Sequence, residues 1–295
     1  MKRKILIIST FFIVIVGIPI FLKLRPHGDD PNSVRVYPGA NSRETYFTMH
    51  KIHEAQSISK GKGCKVGILD HSFGLTRHSS LYAGGMNLVP GKDESLYEKE
   101  WHGYWMATVL HEIAPEAEIY ALNTRTWTSP RLDAEAMARA IDWAIENHLN
   151  VLTYSAEAFE GEALTILETA LARAYKAGIV TTFIHTRHPQ NILPDGFFNS
   201  NTEDGREADV NVLHYDYTVV VVNQWKGTQP FFSISSTSPV LGGVVAMMKS
   251  LRPNLSPSQC QTILRETAHP FDYQGQKPPR VLDALAAVKH VQELP

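Results

Sequence analysis

Three side chains at widely separated positions have the types needed for nucleophilic catalysis: Asp70, His102 and Ser235. A serine hydroxyl is a poor nucleophile until a histidine removes its proton, and a carboxylate then holds the imidazole tautomer and stabilises the imidazolium. Asp70 ends a short apolar run, whereas His102 and Ser235 each stand where a helix is predicted to begin. The three residues therefore predict acyl-transfer chemistry, with Asp70 orienting His102 and with Ser235 attacking.

Ser235 lies in a hydroxyl-rich stretch, positions 233–239, that runs directly into an apolar segment. Pro239 suits the first turn of the predicted helix. A hydroxyl at a helix N-terminus lies beside unpaired backbone N–H groups, which favour a developing oxyanion. An ordinary N-cap on a core helix would use the same residue types. Ser233 and Ser236 are alternative nucleophiles by type, so the interpretation depends on Asp70 and His102.

Strand and helix patterns alternate from about residue 64 to the end of the chain. Short apolar runs predict strands at 64–70, 117–122, 150–155, 178–184 and 217–222. Longer runs predict helices at 102–113, 132–148, 161–177, 235–251, 256–267 and 281–288. This alternation is typical of a parallel sheet covered on both faces, which is a three-layer α/β domain. Chemistry gathers at the carboxyl ends of strands in such sheets, and Asp70 stands at one of these ends.

The first 25 residues predict a membrane anchor. Positions 5–22 form an uncharged run of 18 residues with basic residues on both sides. Such a run nearly spans a bilayer core of roughly 30 Å, and no small-residue cleavage site follows it. We therefore expect a signal-anchor helix over 1–25, a linker over 26–50 and one catalytic domain over 51–295. The positive-inside rule places that domain outside the cytoplasmic membrane, on a single-pass anchor. Secretion after cleavage of a signal peptide is the alternative.

Charge and cysteine content exclude several classes of protein. Positions 31–295 carry 23 basic and 28 acidic side chains without a basic block, so nucleic acid is not an expected partner. No glycine-rich phosphate loop follows a predicted strand, which argues against a nucleotide-binding domain. Cys64 and Cys260 lie far apart and belong to no metal-ligand pair, and the sequence leaves open whether they form a disulfide.

The residues around the three catalytic candidates resemble the motifs of the subtilisin-like serine peptidases (subtilases). Positions 63–70 are similar to the family's aspartate strand. His102-Gly103, with the apolar helix and positions 114–117 behind it, resembles the histidine motif. Positions 144–155 are similar to the substrate-cleft strand, and Ser235 to Pro239 matches the Ser-x-Ala-x-Pro spacing. The segments 251–256 and 281–284 resemble later turns of the family. Six motifs in order over about 52–288 indicate a divergent member.

The resemblance implies a fold, an activity and a substrate class. The fold is a parallel-sheet, three-layer subtilisin-like domain over 51–295, behind the predicted transmembrane helix. The activity is that of a serine endopeptidase that hydrolyses peptide bonds with Asp70, His102 and Ser235. Ser155 is expected to line the substrate cleft, and the expected partner is a protein or peptide substrate, besides the membrane that holds the anchor. No cofactor is implied, and a structural calcium ion is left open.

The main departure from the family follows the strand predicted at 178–184. The family places an oxyanion-stabilising asparagine there, whereas the sequence from position 185 reads His-Thr-Arg-His-Pro-Gln-Asn. Arg187 falls nearest to that position, and Asn191 is the candidate side-chain donor four residues later. The backbone N–H of Ser235 is a second expected donor. His185 and His188 have a spacing compatible with a metal site, but no carboxylate or cysteine accompanies them. The alternative function is therefore a catalytically weak or inactive module that binds peptides or a partner protein.

Overall fold

The computed structural model describes residues 47–91, 93–196, 208–212, 217–221, 227–231, 234–270 and 280–295. The predicted anchor and most of the predicted linker lie outside these ranges, as does Ser233. Within them, every helix is too short or too polar to reach from one side of a bilayer to the other.

A five-stranded parallel sheet forms the centre of the domain. Its strands are β1 (Lys65–Asp70), β2 (Gly84–Asn87), β3 (Glu118–Asn123), β4 (Val151–Tyr154) and β5 (Val180–Phe183). They lie in the order β2-β3-β1-β4-β5, and every pair is parallel. Strand β1 is therefore central, which puts its last residue, Asp70, in the middle of one edge. The predicted parallel sheet is confirmed, and β2 is an addition from a stretch where the sequence predicted no strand.

Helices cover both faces of this sheet. They are α1 (Ile52–Gln56), α2 (Asp93–Tyr97), α3 (His102–Ile113), α4 (Pro130–Glu146), α5 (Gly161–Lys176), α6 (Thr237–Leu251), α7 (Pro257–Thr267) and α8 (Ala284–Glu293). Side chains of α4 and α5 form one core with Leu69, Leu122 and Leu152. Side chains of α3, α6 and α8 form the other with Val66 and Val151. Because successive strand residues point to opposite faces, the two cores define the predicted three layers.

Six further strands lie in the described part of the chain. They are β6 (Pro194–Gly196), β7 (Val210–Val212), β8 (Tyr217–Val221), β9 (Gly227–Phe231), β10 (His269–Pro270) and β11 (Arg280–Val281). Four of them form a second sheet in the order β10-β11-β7-β6. Strands β8 and β9 pair with each other in antiparallel fashion. The strand predicted at 217–222 is thus present as β8, but it pairs within this two-stranded unit instead of in the central sheet.

Helix α6 is buried from Thr237 to Lys249 and links the sheet to α3. A Cβ atom placed on Gly243 would lie 2.7 Å from Cγ2 of Ile113, which ends α3. That separation is well below normal van der Waals contact, so only glycine permits this approach. The backbone of α6 at Gly243 therefore packs directly against the side chain of Ile113 in α3.

Both cysteines are free thiols within the apolar core. Cys64 and Cys260 are buried and form no disulfide. Burial raises the pKa of Cys64 to about 12 and that of Cys260 to about 11. Because the reactive species is the thiolate, both side chains act as small apolar groups at neutral pH.

Candidate active site

Asp70 is fixed at the carboxyl end of the central strand. Its apolar predecessors in β1 are buried, and Asp70 itself is only 4% exposed. One carboxylate oxygen, Oδ1, accepts the backbone N–H of His71 at 2.8 Å. The other oxygen, Oδ2, lies 2.7 Å from Nδ1 of His102. The carboxylate is therefore oriented by its own loop and directed at one imidazole nitrogen.

The loop after Asp70 also positions the helix that carries His102. The backbone N–H of Gly103 donates to the carbonyl of His71 at 2.8 Å. The N–H groups of Trp101 and Tyr104 donate to the carbonyl of Ser72 at 2.8 and 3.3 Å. These bonds satisfy N–H groups that otherwise have no partner in the first turn of α3. The strand and the helix are thereby joined through main-chain atoms, which sets the distance between carboxylate and imidazole.

Two histidines with opposite pKa shifts flank the carboxylate. Burial lowers the pKa of His102, but the charge of Asp70 and the hydrogen bond to it outweigh this effect and raise the pKa above 6.5. Burial lowers the pKa of His71, and the nearby charges of His102 and Arg125 add to that effect against the charge of Asp70. His71 bonds through Nδ1 to Ser72 Oγ at 2.9 Å, and its ring lies 6.0 Å from that of His102. His102 is thus the more basic of the two, as a general base needs to be.

Ser235 lies in a short 3-10 turn, Ile234–Ser236, that leads into α6. It lines a cavity of about 300 Å³ together with Asp70, His102 and Ser155. We refer to this cavity as the cleft. The structure therefore brings the four residues that the sequence singled out for catalysis and substrate contact to one surface depression.

Ser238 ties the start of α6 to the sheet near the cleft. Its hydroxyl donates to the carbonyl of Thr182 at 2.5 Å and accepts the backbone N–H of Tyr154 at 3.2 Å. Thr182 Oγ1 in turn donates to the carbonyl of Ser238 at 3.1 Å. Since Tyr154 and Thr182 belong to β4 and β5, these bonds hold the turn that carries Ser235 against the carboxyl ends of both strands.

Asn191 has a different role from the one expected. Its side chain is fully buried, and Nδ2 donates to the carbonyls of Phe183 at 2.9 Å and Thr186 at 3.0 Å. Its Oδ1 accepts the backbone N–H of Phe183 at 2.9 Å. Both amide hydrogens are thus engaged by the end of β5 and the loop that follows it, and Asn191 does not line the cleft. This geometry corrects the expectation that Asn191 supplies an oxyanion donor. Arg187 is exposed and does not line the cleft either.

Charged and aromatic residues that the sequence did not single out form the mouth of the cleft. Arg125 donates to both carboxylate oxygens of Glu157 at 2.5 and 2.9 Å, and its guanidinium lies 4.7 Å from the ring centre of Trp127. These three residues also line an adjoining cavity of about 290 Å³. Trp101 and Trp127 are 48% and 57% exposed and both contact the ring of His71. The sequence could have indicated these residues by their positions. Arg125 and Trp127 follow β3, Glu157 follows β4 and Trp101 directly precedes α3, and β3, β4 and α3 all have these ends near Asp70.

Three residues around the cleft have the left-handed backbone conformation that favours glycine. They are Ser72, Trp127 and His185, with φ angles of 59°, 60° and 56°. For a residue with a side chain this conformation costs roughly 1–2 kcal/mol. Such strain concentrates at functional sites, and all three residues lie at or next to the cleft.

Comparison with curated proteins finds subtilisin-type relatives. No protein-family model matches the chain. It is 25% identical over 232 residues to a thermostable alkaline protease of Halalkalibacterium halodurans, with 70% of this chain and 63% of that protein covered. It is also 25% identical over 236 residues to subtilisin DY of Bacillus licheniformis, with 71% of this chain and 85% of that protein covered. The chain thus spans less than two thirds of the alkaline protease.

Solved structures of subtilisin-like proteases share the fold. The prenylagaramide maturation protease PagA matches with a TM-score of 0.63 at 19% identity, covering 81% of this chain and 98% of its own. MycP1 without its N-terminal propeptide matches with a TM-score of 0.65 at 17% identity, covering 82% and 96%. Fervidolysin from Fervidobacterium pennivorans matches with a TM-score of 0.62 at 18% identity, covering 80% and 44%. These findings confirm the resemblance drawn from the sequence motifs.

Proposed function

We propose that this chain, a divergent relative of the subtilisin-like serine peptidases, is a serine endopeptidase that uses Asp70, His102 and Ser235. The observation that carries the proposal is the 2.7 Å bond between Asp70 Oδ2 and His102 Nδ1 in a cavity that Ser235 also lines. Paired carboxylate and imidazole, with a hydroxyl in the same depression, are the groups that serine-based acyl transfer requires. The protease names of both curated relatives support the reaction class.

The reaction follows from the chemistry of these groups. Ser235 Oγ forms a bond to the carbonyl carbon of the peptide, its proton passes to Nε2 of His102, and the carbonyl electron pair moves to oxygen. When the carbonyl re-forms, the carbon–nitrogen bond breaks and His102 gives its proton to the leaving amine. A water molecule, deprotonated by His102, then hydrolyses the ester and restores Ser235. Asp70 stays ionised throughout and stabilises the imidazolium.

We also propose that the enzyme acts outside the cytoplasmic membrane on protein or peptide substrates. The uncharged run at positions 5–22, with basic residues on both sides, supports a single-pass anchor and an extracytoplasmic domain. A secreted form would arise if that segment were cleaved. The proposed chemistry requires water and the side chains of Asp70, His102 and Ser235 but no cofactor.

Covalent labelling tests the assignment of the nucleophile. A fluorophosphonate probe reacts with an activated serine, so we expect wild type to be labelled and Ser235→Ala to be unlabelled. Ser236→Ala is the matched control, because it removes the neighbouring hydroxyl, and it should be labelled like wild type. Peptide mapping of the adduct should identify Ser235. Labelling that survives in Ser235→Ala would refute the assignment, and a folded wild type that never reacts would favour a non-catalytic peptide-binding module.

The pH dependence of this labelling tests the role of His102. Only the neutral imidazole accepts the serine proton, so the labelling rate should fall as the pH decreases through the pKa of His102. Because Asp70 raises that pKa above 6.5, the midpoint of the decline should lie above 6.5. Rates measured between about pH 5 and 9 define the midpoint. A midpoint at or below 6.5 would show that Asp70 does not support the base as proposed.

A further inference from the structure

We infer that the imidazole of His185 is the side-chain oxyanion donor of this site, an inference that rests on the proposed function. The tetrahedral intermediate of acyl transfer carries negative charge on the former carbonyl oxygen, and enzymes stabilise it with fixed N–H or O–H donors. Asn191, the donor expected from the sequence, has both amide hydrogens bonded to the carbonyl groups of Phe183 and Thr186. Among the described residues, a side-chain donor for the oxyanion is therefore sought among the others that line the cleft.

Most nitrogen-bearing side chains of the cleft already have another role. His102 is the proposed base and bonds to Asp70. Arg125 is held by Glu157 through two hydrogen bonds. His71 bonds to Ser72, and its Nε2 lies 3.9 Å from Asp70 Oδ1. The indole groups of Trp101 and Trp127 are large, exposed and located at the mouth of the cleft. Among the described residues that line the cleft, His185 is the nitrogen donor to which none of these roles applies.

His185 has the position and the freedom that a donor needs. It follows β5 by two residues and lines the cleft together with Ser235 and Ser155. Within the described part of the chain, its imidazole forms no hydrogen bond or ion pair. A neutral imidazole carries one N–H group, which can donate to an oxyanion. Its backbone is held in the left-handed conformation, with φ of 56°, at a cost that functional sites commonly retain.

Asn191 explains how that conformation is maintained. Its amide bonds to the backbone of Phe183, two residues before His185, and to the carbonyl of Thr186, the residue after it. Because Asn191 is fully buried, these bonds have little competition from water. Asn191 is therefore a positioning residue that holds the loop of His185, and His185 presents the N–H group to the reacting carbonyl.

The test compares turnover with substrate binding in His185 variants. Losing one oxyanion donor should lower kcat about 10²–10³-fold, with KM changed by no more than about threefold, because the charge develops only in the transition state. His185→Ala removes the donor, whereas His185→Gln keeps a side-chain N–H and should recover part of kcat. The affinity for a peptide boronate, which forms a tetrahedral adduct with the serine, should fall in proportion to kcat. His188→Ala is the matched control, because His188 lies in the same loop but does not line the cleft.

Two results would overturn the inference. One is a His185→Ala variant whose kcat stays within about twofold of wild type. The other is a loss that affects kcat and boronate affinity equally in His185→Ala and His188→Ala, which would indicate disruption of the loop. Failure of the proposed function has a different signature, since wild type itself would then neither turn over peptides nor react with the fluorophosphonate.

Discussion

Replacing Asp70 with asparagine is expected to lower kcat about 10⁴-fold while leaving the fold intact. In wild type, Oδ1 accepts the N–H of His71 and Oδ2 faces Nδ1 of His102. If the amide oxygen of asparagine keeps the first bond, its NH₂ group faces Nδ1 of His102. That nitrogen must then accept a hydrogen bond, so the ring hydrogen moves to Nε2, which can no longer take the serine proton.

Steady-state kinetics with a fluorogenic peptide measures this effect. KM should change little, because Asp70 is only 4% exposed and acts through His102. Asp142→Asn is the matched control: it changes an exposed carboxylate whose bonds go to Arg173 between α4 and α5, and its kcat should stay within about twofold of wild type. An Asp70→Asn variant that retains a tenth or more of wild-type kcat would contradict the proposed role of the carboxylate.

Substitution of Gly103 by alanine should damage stability and activity together. The added Cβ would lie 2.5 Å from the carbonyl oxygen of His71 and 2.8 Å from the ring of Phe73. Because the first contact is with backbone, relief requires that α3 move away from the loop after Asp70. Overpacking of this kind costs about 1–3 kcal/mol of unfolding free energy. The same movement displaces His102 from Asp70, and a shift of about 1 Å in a reacting group can cost about 10²-fold in rate.

Urea denaturation and peptide turnover measure the two effects. His111→Ala is the control, because it also places an alanine on α3, but on its exposed surface. It should change the unfolding free energy by less than about 0.5 kcal/mol and leave turnover unchanged. Wild-type kcat in Gly103→Ala would show that the contact between the loop and the first turn of α3 does not set the position of His102.

The fold was largely predictable because its central elements are regular. Helix α3 begins at His102 and β1 ends at Asp70, as the apolar runs predicted. Helix α7 begins after Ser256, whose hydroxyl caps it together with Gln259. Strand β2 was missed because it contains two glycines and shows no apolar run. It is held by pairing with β3, which lies far from it in sequence.

The site was predictable in its residue types and less so in its loops. Asp70, His102 and Ser235 have distinctive neighbours: Asp70 ends β1, His102 begins α3 and Ser235 lies in the turn that directly precedes α6. Asn191 was misassigned because its side-chain type fits both an oxyanion donor and a loop brace, and only the positions of nearby carbonyls distinguish them. The proposed donor role of His185 was not predicted, because it depends on a left-handed backbone that sequence patterns do not reveal.

The contact between Gly243 and Ile113 joins the two helices that position the proposed base and the proposed nucleophile. Helix α3 carries His102 as its first residue, and α6 begins just after Ser235. A displacement of one helix relative to the other would therefore change the distance between His102 and Ser235.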